Sequence, residues 1–519
     1  MFEGLKKIVN KVGKKMQDMT AETILASETK SWLEDTLTAW IDSKERKAQL
    51  DAERYYIGDQ DINYRERKAI GASGRLEPVK NVANNRILNN VYRYMVDQKR
   101  NFSFGKPFIF YGKNDAMTDT FRKVFDDNFM RTINILAEKA QNGGKAALYP
   151  YYDEDGDFCF EIFKGSELLP IWKDSLHTKL HFCIRYYTVE KQKTFGSETV
   201  EKVQIFTKEA VYNYVRSSGK LIPDTDTGEV THYMTVNRVV DPVTNQIERV
   251  TYGWDRVPVV FFRFNSEEQP LLCRCRSLQD AYNEVWSNFK NQMDEDPGSS
   301  ILVLHNYDGE DLKEFRSRLA VHRTIKVRSV DGIDGRVETL KVEVNADNYE
   351  LILRLLKKSI IEQCRGFDVK DDNVGGNANQ MHISAMYNDC ELDANEFELE
   401  FRSSLQQLLF FVRAHLANTG KGNYTEDDIT FTFDRDMIQD WNSDMQTLVQ
   451  MANVYPKRFI YEQTPGVGNP QRLIDMDEEA ERKAMESYSL PIPQHDEHDN
   501  GIEDDKDEEK TAKKDNADL

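Results

Sequence analysis

The strongest pattern in the chain is an apolar stripe. Ile383, Met386, Cys390, Ala394, Phe397, Phe401, Leu405, Leu408, Val412 and Leu416 follow one another at steps of three or four residues, with no Pro or Gly between them. That spacing puts them on one face of a single helix, roughly 50 Å long at about 1.5 Å per residue. Tyr349, Ile352, Leu353, Leu356 and Ile360 carry the same period over a shorter span. Between the two lies FDVKDDNVGGNANQ, a polar loop whose Gly375 and Gly376 break both helices. A long helix hung on a polar loop predicts a mechanical part rather than a catalytic cleft.

The rest of the chain reads as α+β, helices first and antiparallel sheet after. Helical spacing covers Glu22 to Tyr56, with Trp32, Leu33, Leu37, Trp40 and Ile41 apolar. It returns from Asn84 to Phe104, with Asn84 or Asn85 as N-cap, and again from Thr118 to Ala140, ending at Asn142-Gly143-Gly144. A strand is expected at Phe108–Tyr111. From 145 to 265, aromatic and β-branched runs alternate with turn signals, beginning with a hairpin over Asp155-Gly156. Ser277 to Asp296 is helical again, with Leu278, Ala281, Tyr282, Val285, Phe289 and Met293 on one side. A small β-α-β-β unit follows: strand Ile301–Leu304, helix Asp311–Ala320, strands Ile325–Arg328 and Val337–Val344. An insert of this size is expected to protrude and pack on a neighbour. After the long helix come an alternating strand at Ile429–Phe433, a helix from Ile438 to Met451, and an acidic helix near Asp477–Tyr488. From Pro491 onward the composition is that of disorder.

Composition narrows the function classes. No window of about eighteen apolar residues exists, so no membrane-spanning helix is expected, and the N-terminus lacks the pattern of a signal peptide. Six scattered cysteines without CxxC pairs point to reduced, intracellular thiols rather than a zinc site. The net charge is −20, and 477–519 contributes half of it, with 16 Asp/Glu against 6 Lys/Arg. Such a chain is a poor generic DNA binder, because duplex affinity comes mostly from Lys and Arg neutralising phosphates. Residues 1–20 are the exception, with Leu5, Ile8, Val9, Val12 and Met16 on one face amid five lysines. That segment is a frayed terminal helix, or one that docks on a partner or a membrane surface.

The chemical motifs are missing. GxxxxGK followed by Ser or Thr does not occur, so ATP hydrolysis through a P-loop is not expected. Neither HExxH nor GxSxG is present. His177 and His181 share a helical spacing, but the run after them reads as strand. Asp371-Asp372 and Asp126-Asp127 are acidic pairs that would need carboxylates from other elements to hold a metal for a nuclease. The expectation is a chain that is not an enzyme and carries no metal or cofactor.

Several segments resemble the portal proteins of long-tailed bacteriophages that infect Gram-positive hosts. They are NNRILNNVYRYMVDQKRNFSFGKP, SLQDAYNEVWSNFKNQMDED, LVLHNYDGEDLKEF, VETLKVEV and CELDANEFELEFRSSLQQLLFFV closing on NTGKG. They run in the family's order from about Tyr55 to Glu481. The loop departs from the family, with VGGNANQM where a small or hydroxyl residue usually follows the glycines.

The resemblance implies a ring of twelve copies at one capsid vertex, through which double-stranded DNA enters during packaging and leaves at infection. It divides the chain into a basic segment (1–21), a wing (22–265), a stem helix (266–297), a clip (298–345), a second stem helix (346–366), a tunnel loop (367–381), a long helix (382–417), a crown (418–476) and an acidic tail (477–519). The loop would face DNA with Asp368, Lys370, Asp371, Asp372, Asn373, Gly375, Gly376 and Asn377. The clip would meet the large terminase subunit, and later a head-completion or adaptor protein, with Asn306, Tyr307, Asp308, Asp311, Arg328, Asp331 and Asp334. Major capsid and scaffold proteins would be further partners, in the virion and in the host cytoplasm during assembly. The loop's charged residues sum to −2, and a weakly acidic loop suits DNA that slides rather than sticks. Two other readings compete, a metal-dependent nuclease and a membrane-associated scaffold protein.

Overall fold

The computed structural model describes residues 27–70, 74–78, 82–113, 115–192, 196–241, 246–295, 301–305, 329–330, 333–334, 336–340, 346–368, 380–425, 429–433, 435, 446, 448–452, 454–464 and 470–488. The chain divides into two compact units, Met1–Ile438 and Gln439–Leu519.

The first unit opens with helices α1 (Ser27–Ile41) and α2 (Lys44–Tyr56). The helical run expected from Glu22 to Tyr56 is broken at Ser43, whose hydroxyl accepts the Arg46 amide at 3.1 Å and caps α2. A short hairpin, β1 (Lys68–Ile70) and β2 (Leu76–Pro78), follows. Helix α3 (Val91–Phe104) starts seven residues later than the sequence suggests. Asn90, not Asn84 or Asn85, is its N-cap, accepting the Arg93 amide at 2.9 Å. The segment before it lies extended, because partners elsewhere take up its backbone groups, as described below. Strand β3 (Ile109–Gly112) comes next. The single helix expected at Thr118–Ala140 is two, α4 (Asp115–Arg122) and α5 (Asp127–Gly143). Asp126 divides them by capping α5 through the Phe129 amide at 2.8 Å. Gly144, at φ +71, ends α5 as the Asn-Gly-Gly signal suggests.

The sheets then form by nearest-neighbour antiparallel pairing. Strands β4 (Lys145–Tyr152) and β5 (Phe158–Lys164) are the hairpin expected over Asp155-Gly156. Strands β6 (Leu168–Trp172), β7 (Leu180–Gln192), β8 (Ser197–Phe206), β9 (Ala210–Ser217) and β10 (Lys220–Pro223) pair in sequence order, and β11 (Val230–His232) adds to β9. Strands β12 (Met234–Asp241) and β13 (Gln246–Tyr252) form a separate hairpin, and β14 (Val260–Arg263) completes a three-stranded sheet against β4. Leu33, Leu37 and Trp40 of α1 pack on Phe182, Ile184, Val203 and Ile205 of the larger sheet. A second core between the two sheets is built from Ala147, Phe163, Leu168, Phe206 and Phe261. The largest core gathers α3, α5, β14 and the helices that follow.

Those helices are α6 (Leu272–Glu295), α7 (Ala346–Gln363) and α8 (Gln380–Asn418). Between α6 and α7, β15 (Ile301–His305) pairs antiparallel with a strand at Arg336–Leu340, and a two-residue hairpin, β16 (Ser329–Val330) with β17 (Ile333–Asp334), precedes that strand, β18. The helix expected at Asp311–Ala320 and the strand at Ile325–Arg328 lie outside the described residues. The stripe on α8 is buried as its spacing predicts: Cys390, Ala394, Phe397, Phe401, Leu405, Leu408, Val412 and Leu416 all face the core. Strand β19 (Ile429–Thr432), beyond α8, pairs with β3 far back in the chain. The second unit contains helices α9 (Lys457–Gln463) and α10 (Pro470–Tyr488), held by Lys457 with Asp477 and Glu481 and by the Tyr461 hydroxyl on Asp477 at 2.7 Å.

Candidate functional site at the root of a helix-borne loop

Helices α6 and α7 run antiparallel in a regular register. The rings of Phe289 and Tyr349 meet at 5.0 Å, and Lys357 lies within electrostatic reach of the Tyr282 phenol. The position on α6 falls by seven as that on α7 rises by eight, which is about two helical turns. The consequence is positional. The chain passes into β15–β18 from one end of the pair, and continues past Asp368 from the other.

On its other side, α6 holds an extended strap. Gln279, Asn283, Ser287 and Asn291 are four residues apart and all buried. Their side-chain oxygens accept backbone amides in turn: Gln279 from Tyr92 at 3.0 Å, Asn283 from Asn89 at 3.0 Å, Ser287 from Ile87 at 3.0 Å and Asn291 from Asn85 at 2.6 Å. Gln279 also donates to the Asn89 carbonyl at 2.8 Å. Four helical residues advance about 6 Å, close to two residues of extended chain. The alternate amides of Asn85, Ile87 and Asn89 therefore find successive side chains of the helix, and Tyr92, in the first turn of α3, finds the next. This seam is why 84–90 is not helical, and why polar residues, rather than Leu278 or Met293, hold the deepest positions on α6. Met293, placed on the apolar side by its spacing, is 51% exposed.

The end of α7 is where the loop is rooted. The Arg365 amide bonds Glu362 O and the Gly366 amide bonds Ile361 O, both at 2.9 Å, the two bonds of a helix-ending Schellman motif. Its left-handed position belongs to Arg365, at φ +51, where glycine is usual. Neighbouring elements secure it. Lys99 Nζ of α3 donates to the Arg365 carbonyl at 3.1 Å and pairs with Asp393 of α8 at 2.7 Å. Arg274 of α6 reaches both Asp393 oxygens at 2.9 and 3.1 Å, and the Arg365 guanidinium reaches Oδ1 at 3.4 Å. One buried carboxylate therefore joins α3, α6, α7 and α8. Burial pushes the Asp393 carboxyl up, but Lys99 and Arg274 outweigh it and hold it below the usual range.

Two further clasps follow. Gln98 accepts the Phe367 amide at 3.1 Å and donates to its carbonyl at 2.7 Å, closing a ring like one rung of a sheet. Gly366 sits so close to α3 that a Cβ there would lie 2.6 Å from Met95 Sδ and 2.8 Å from Gln98 Oε1. The Phe367 ring packs against Phe102 and Tyr387 at 6.3 and 4.3 Å. Asp368, the first loop residue singled out from sequence, is paired with Lys357 at 2.6 Å. Lys370, Asp371, Asp372, Asn373, Gly375, Gly376 and Asn377 lie outside the described residues. So do Asn306, Tyr307, Asp308, Asp311, Arg328 and Asp331, while Asp334 falls in β17 with its side chain undescribed.

Beyond its loop-proximal part, α8 is fastened to the three-stranded sheet. Ser404 Oγ donates to the Phe261 carbonyl at 2.7 Å, Arg263 meets Glu400 at 3.1 Å, and Phe262 packs on Phe401 at 5.0 Å. A second charged cluster joins the sheets to the lead-in of α6, with Glu268 between Lys145 at 2.7 Å and His177 at 2.6 Å. Burial would raise the Glu268 carboxyl, but Lys145 and then His177 hold it far below its ordinary value. His177 thus serves this pair. His181 lies apart from it in β7, and among the described residues no three His, Cys, Asp or Glu side chains are grouped to hold a metal ion. Asp126 is committed to capping α5.

A family model described as "Phage portal protein, SPP1 Gp6-like" matches residues 40–487. The portal protein of Bacillus phage SPP1 is 29% identical over 442 residues, spanning 85% of this chain and 84% of that protein. The portal protein of Clostridium phage phiCD119 is 28% identical over 462 residues, spanning 86% and 94%.

Proposed function

This chain belongs to the SPP1 Gp6-like phage portal family, and from that premise we propose that it assembles with copies of itself into a ring at a capsid vertex, through which double-stranded DNA is packaged and ejected. In this reading α6 and α7 are the stem, 367–381 is the loop that faces the DNA, and 298–345 is the clip. The clip receives the large terminase subunit during packaging and a head-completion or adaptor protein afterwards. Major capsid and scaffold proteins surround the ring during assembly.

The observation that carries the reading is the register of α6 with α7. A motor-facing insert and a DNA-facing loop have to sit at opposite ends of a stiff element, and the antiparallel pair separates them in that way. A second support is the outward face of α7, where Leu351, Ile352 and Leu355 are 45%, 46% and 53% exposed. Apolar side chains grouped on one helix face favour contact with a neighbouring copy. Charge favours sliding. With Asp368 engaged by Lys357, the remaining loop charges are Lys370, Asp371 and Asp372, net −1, which gives phosphates little to grip.

Electron microscopy of the purified chain tests assembly, where rings with a central hole are expected and monodisperse monomers at high concentration would overturn the reading. The DNA role is tested by Asp371→Lys with Asp372→Lys. Rings should form normally while packaged DNA falls, and an unchanged DNA yield would remove the sliding argument.

A further inference from the structure

We propose that the apolar face of α7 in one copy packs on the next copy where the end of α2 lies against the strap. The proposal rests on the ring reading above and names the two surfaces that meet in it. The first is Leu351, Ile352 and Leu355, exposed on α7, while Leu353 and Ile360 of the same helix are buried. The second is Ile57, 74% exposed at the end of α2, with Leu88 of the strap close by. Gly58 joins them, since a Cβ there would lie 3.3 Å from Leu88 Cδ2.

Height along α6 carries the pairing. Two anchors fix α7 against α6: the rings of Phe289 and Tyr349 at 5.0 Å, and Arg274 and Arg365 on the shared Asp393 carboxylate. Between the anchors both helices rise about 1.5 Å per residue in opposite directions, so Leu351 and Leu355 stand level with about positions 287 and 283 of α6. Ser287 and Asn283 hold the Ile87 and Asn89 amides, so Leu88 lies at that level too. Ile57 belongs to it as well, because Asn283 donates to Gln60 at 2.6 Å and Asn90 donates to the Tyr55 carbonyl at 2.8 Å. Around α6, at about 100° per residue, the strap-facing Asn283 and Ser287 are roughly 120–160° from Phe289, which faces α7. Two different apolar surfaces at one level, on separate sides, make a head-to-tail contact. A rotation about an axis parallel to α6 brings one onto the other with no rise, so the copies close into a ring; unequal levels would climb into a filament.

Charge agrees with the pairing. Arg354 is exposed beside Leu355 and meets no carboxylate among the described residues. Asp59, next to Gly58, accepts the Tyr64 hydroxyl at 2.7 Å and has no ion-pair partner among the described residues. In the ring, Arg354 of one copy meets Asp59 of the next. The test counts rings of the full-length chain by size-exclusion chromatography and electron microscopy. Leu355→Glu, Arg354→Asp and Asp59→Arg should each cut the ring fraction several-fold while keeping the circular dichroism spectrum of the wild type. Arg354→Asp combined with Asp59→Arg should regain most of the rings, which a folding defect in either single variant would not allow. A double variant no better than the singles would overturn the pairing of these two surfaces. Single variants that all form rings as the wild type does would overturn the contact, assign these faces to another partner, and leave the ring itself standing. A wild-type chain that forms no rings would overturn the ring reading instead.

Discussion

Arg365 and Gly420 occupy the same position of the same helix-ending motif, one closing α7 and the other α8. At α8 the Gly420 and Lys421 amides bond Ala417 O and Leu416 O at 3.1 and 2.9 Å, and Gly420 takes φ +69 without steric cost. At α7 the left-handed residue is an arginine, which bears a penalty of roughly 1–2 kcal/mol offset by its carbonyl bond to Lys99 and its ion pair with Asp393. The two contributions separate by mutation. Arg365→Ala keeps the penalty and loses the ion pair, whereas Arg365→Gly loses both. Thermal midpoints should therefore rank glycine at or above wild type, with alanine below both, and an alanine variant as stable as glycine would refute the account.

Asp393 is the carboxylate on which four helices converge, so removing it leaves Lys99 buried without its counter-charge. Asp393→Ala should cost about 3–5 kcal/mol of stability, the usual penalty for breaking a buried pair from one side. Lys99→Met with Asp393→Leu should recover much of that loss in denaturant unfolding. If the double variant is no more stable than Asp393→Ala, the penalty has another origin.

The polar seam predicts non-additivity. Asn283 accepts from Asn89 and donates to Gln60 at 2.6 Å, while Gln279 bonds Tyr92, Asn89 and Asn283 itself. Asn283→Ala should cost about 1–3 kcal/mol, because a buried amide is left without an acceptor. Combining it with Gln279→Ala should cost clearly less than the sum of the two single losses. A double-mutant cycle with no coupling would show that the strap is held by other means.

Gly366→Ala places a methyl against Met95 and into the Gln98 clasp on Phe367. Loss of roughly 1–3 kcal/mol is expected, with faster limited proteolysis between 367 and 380 than in wild type. Equal proteolysis rates would mean that the clasp does not restrain the loop.

Acid sensitivity follows from the depressed carboxyls. Burial pushes Asp224 up, but hydrogen bonds from Lys202, Thr227 and the Asp226 amide bring it from 3.8 to about 2. Asp393 and Glu34 are also lowered. Groups of this kind bind protons more readily in the unfolded chain. Their stabilisation is complete above the unfolded values near 4 and is lost as pH falls through the folded values, near 2 for Asp224. The thermal midpoint should therefore drop between about pH 4 and 2, and Lys202→Met should make that drop shallower. An unchanged slope in the Lys202 variant would remove Asp224 from the explanation.

How much of this was readable depends on whether the signal was local. The α8 stripe was, because ten apolar positions at helical spacing can only be reconciled with one buried face, and the eight whose side chains are described are buried. The Asp155-Gly156 hairpin and the Gly144 stop were equally direct. The strap was not. Asn84 to Phe104 has a helical period throughout, and only the buried oxygens of a helix nearly two hundred residues away keep its first part extended. The series Gln279, Asn283, Ser287, Asn291 could have given it away, since four amide or hydroxyl residues at one spacing need an explanation, but alone it looks like a solvated face. Asp393 carried no local mark at all. Its partners come from positions 99, 274 and 365, and only the packed helices bring them together.

The seam between α6 and the strap also separates attachment from identity. The strap amides of Asn85, Ile87 and Asn89 that α6 accepts are main-chain groups, which any residue but proline supplies. An outward side chain such as Leu88, 37% exposed, can therefore be exchanged without loosening the hold. The four positions on α6 have no such latitude, because each must offer an acceptor at one fixed height along the helix. The strap can thus change the face it presents to a neighbour while α6 keeps the same grip on its backbone.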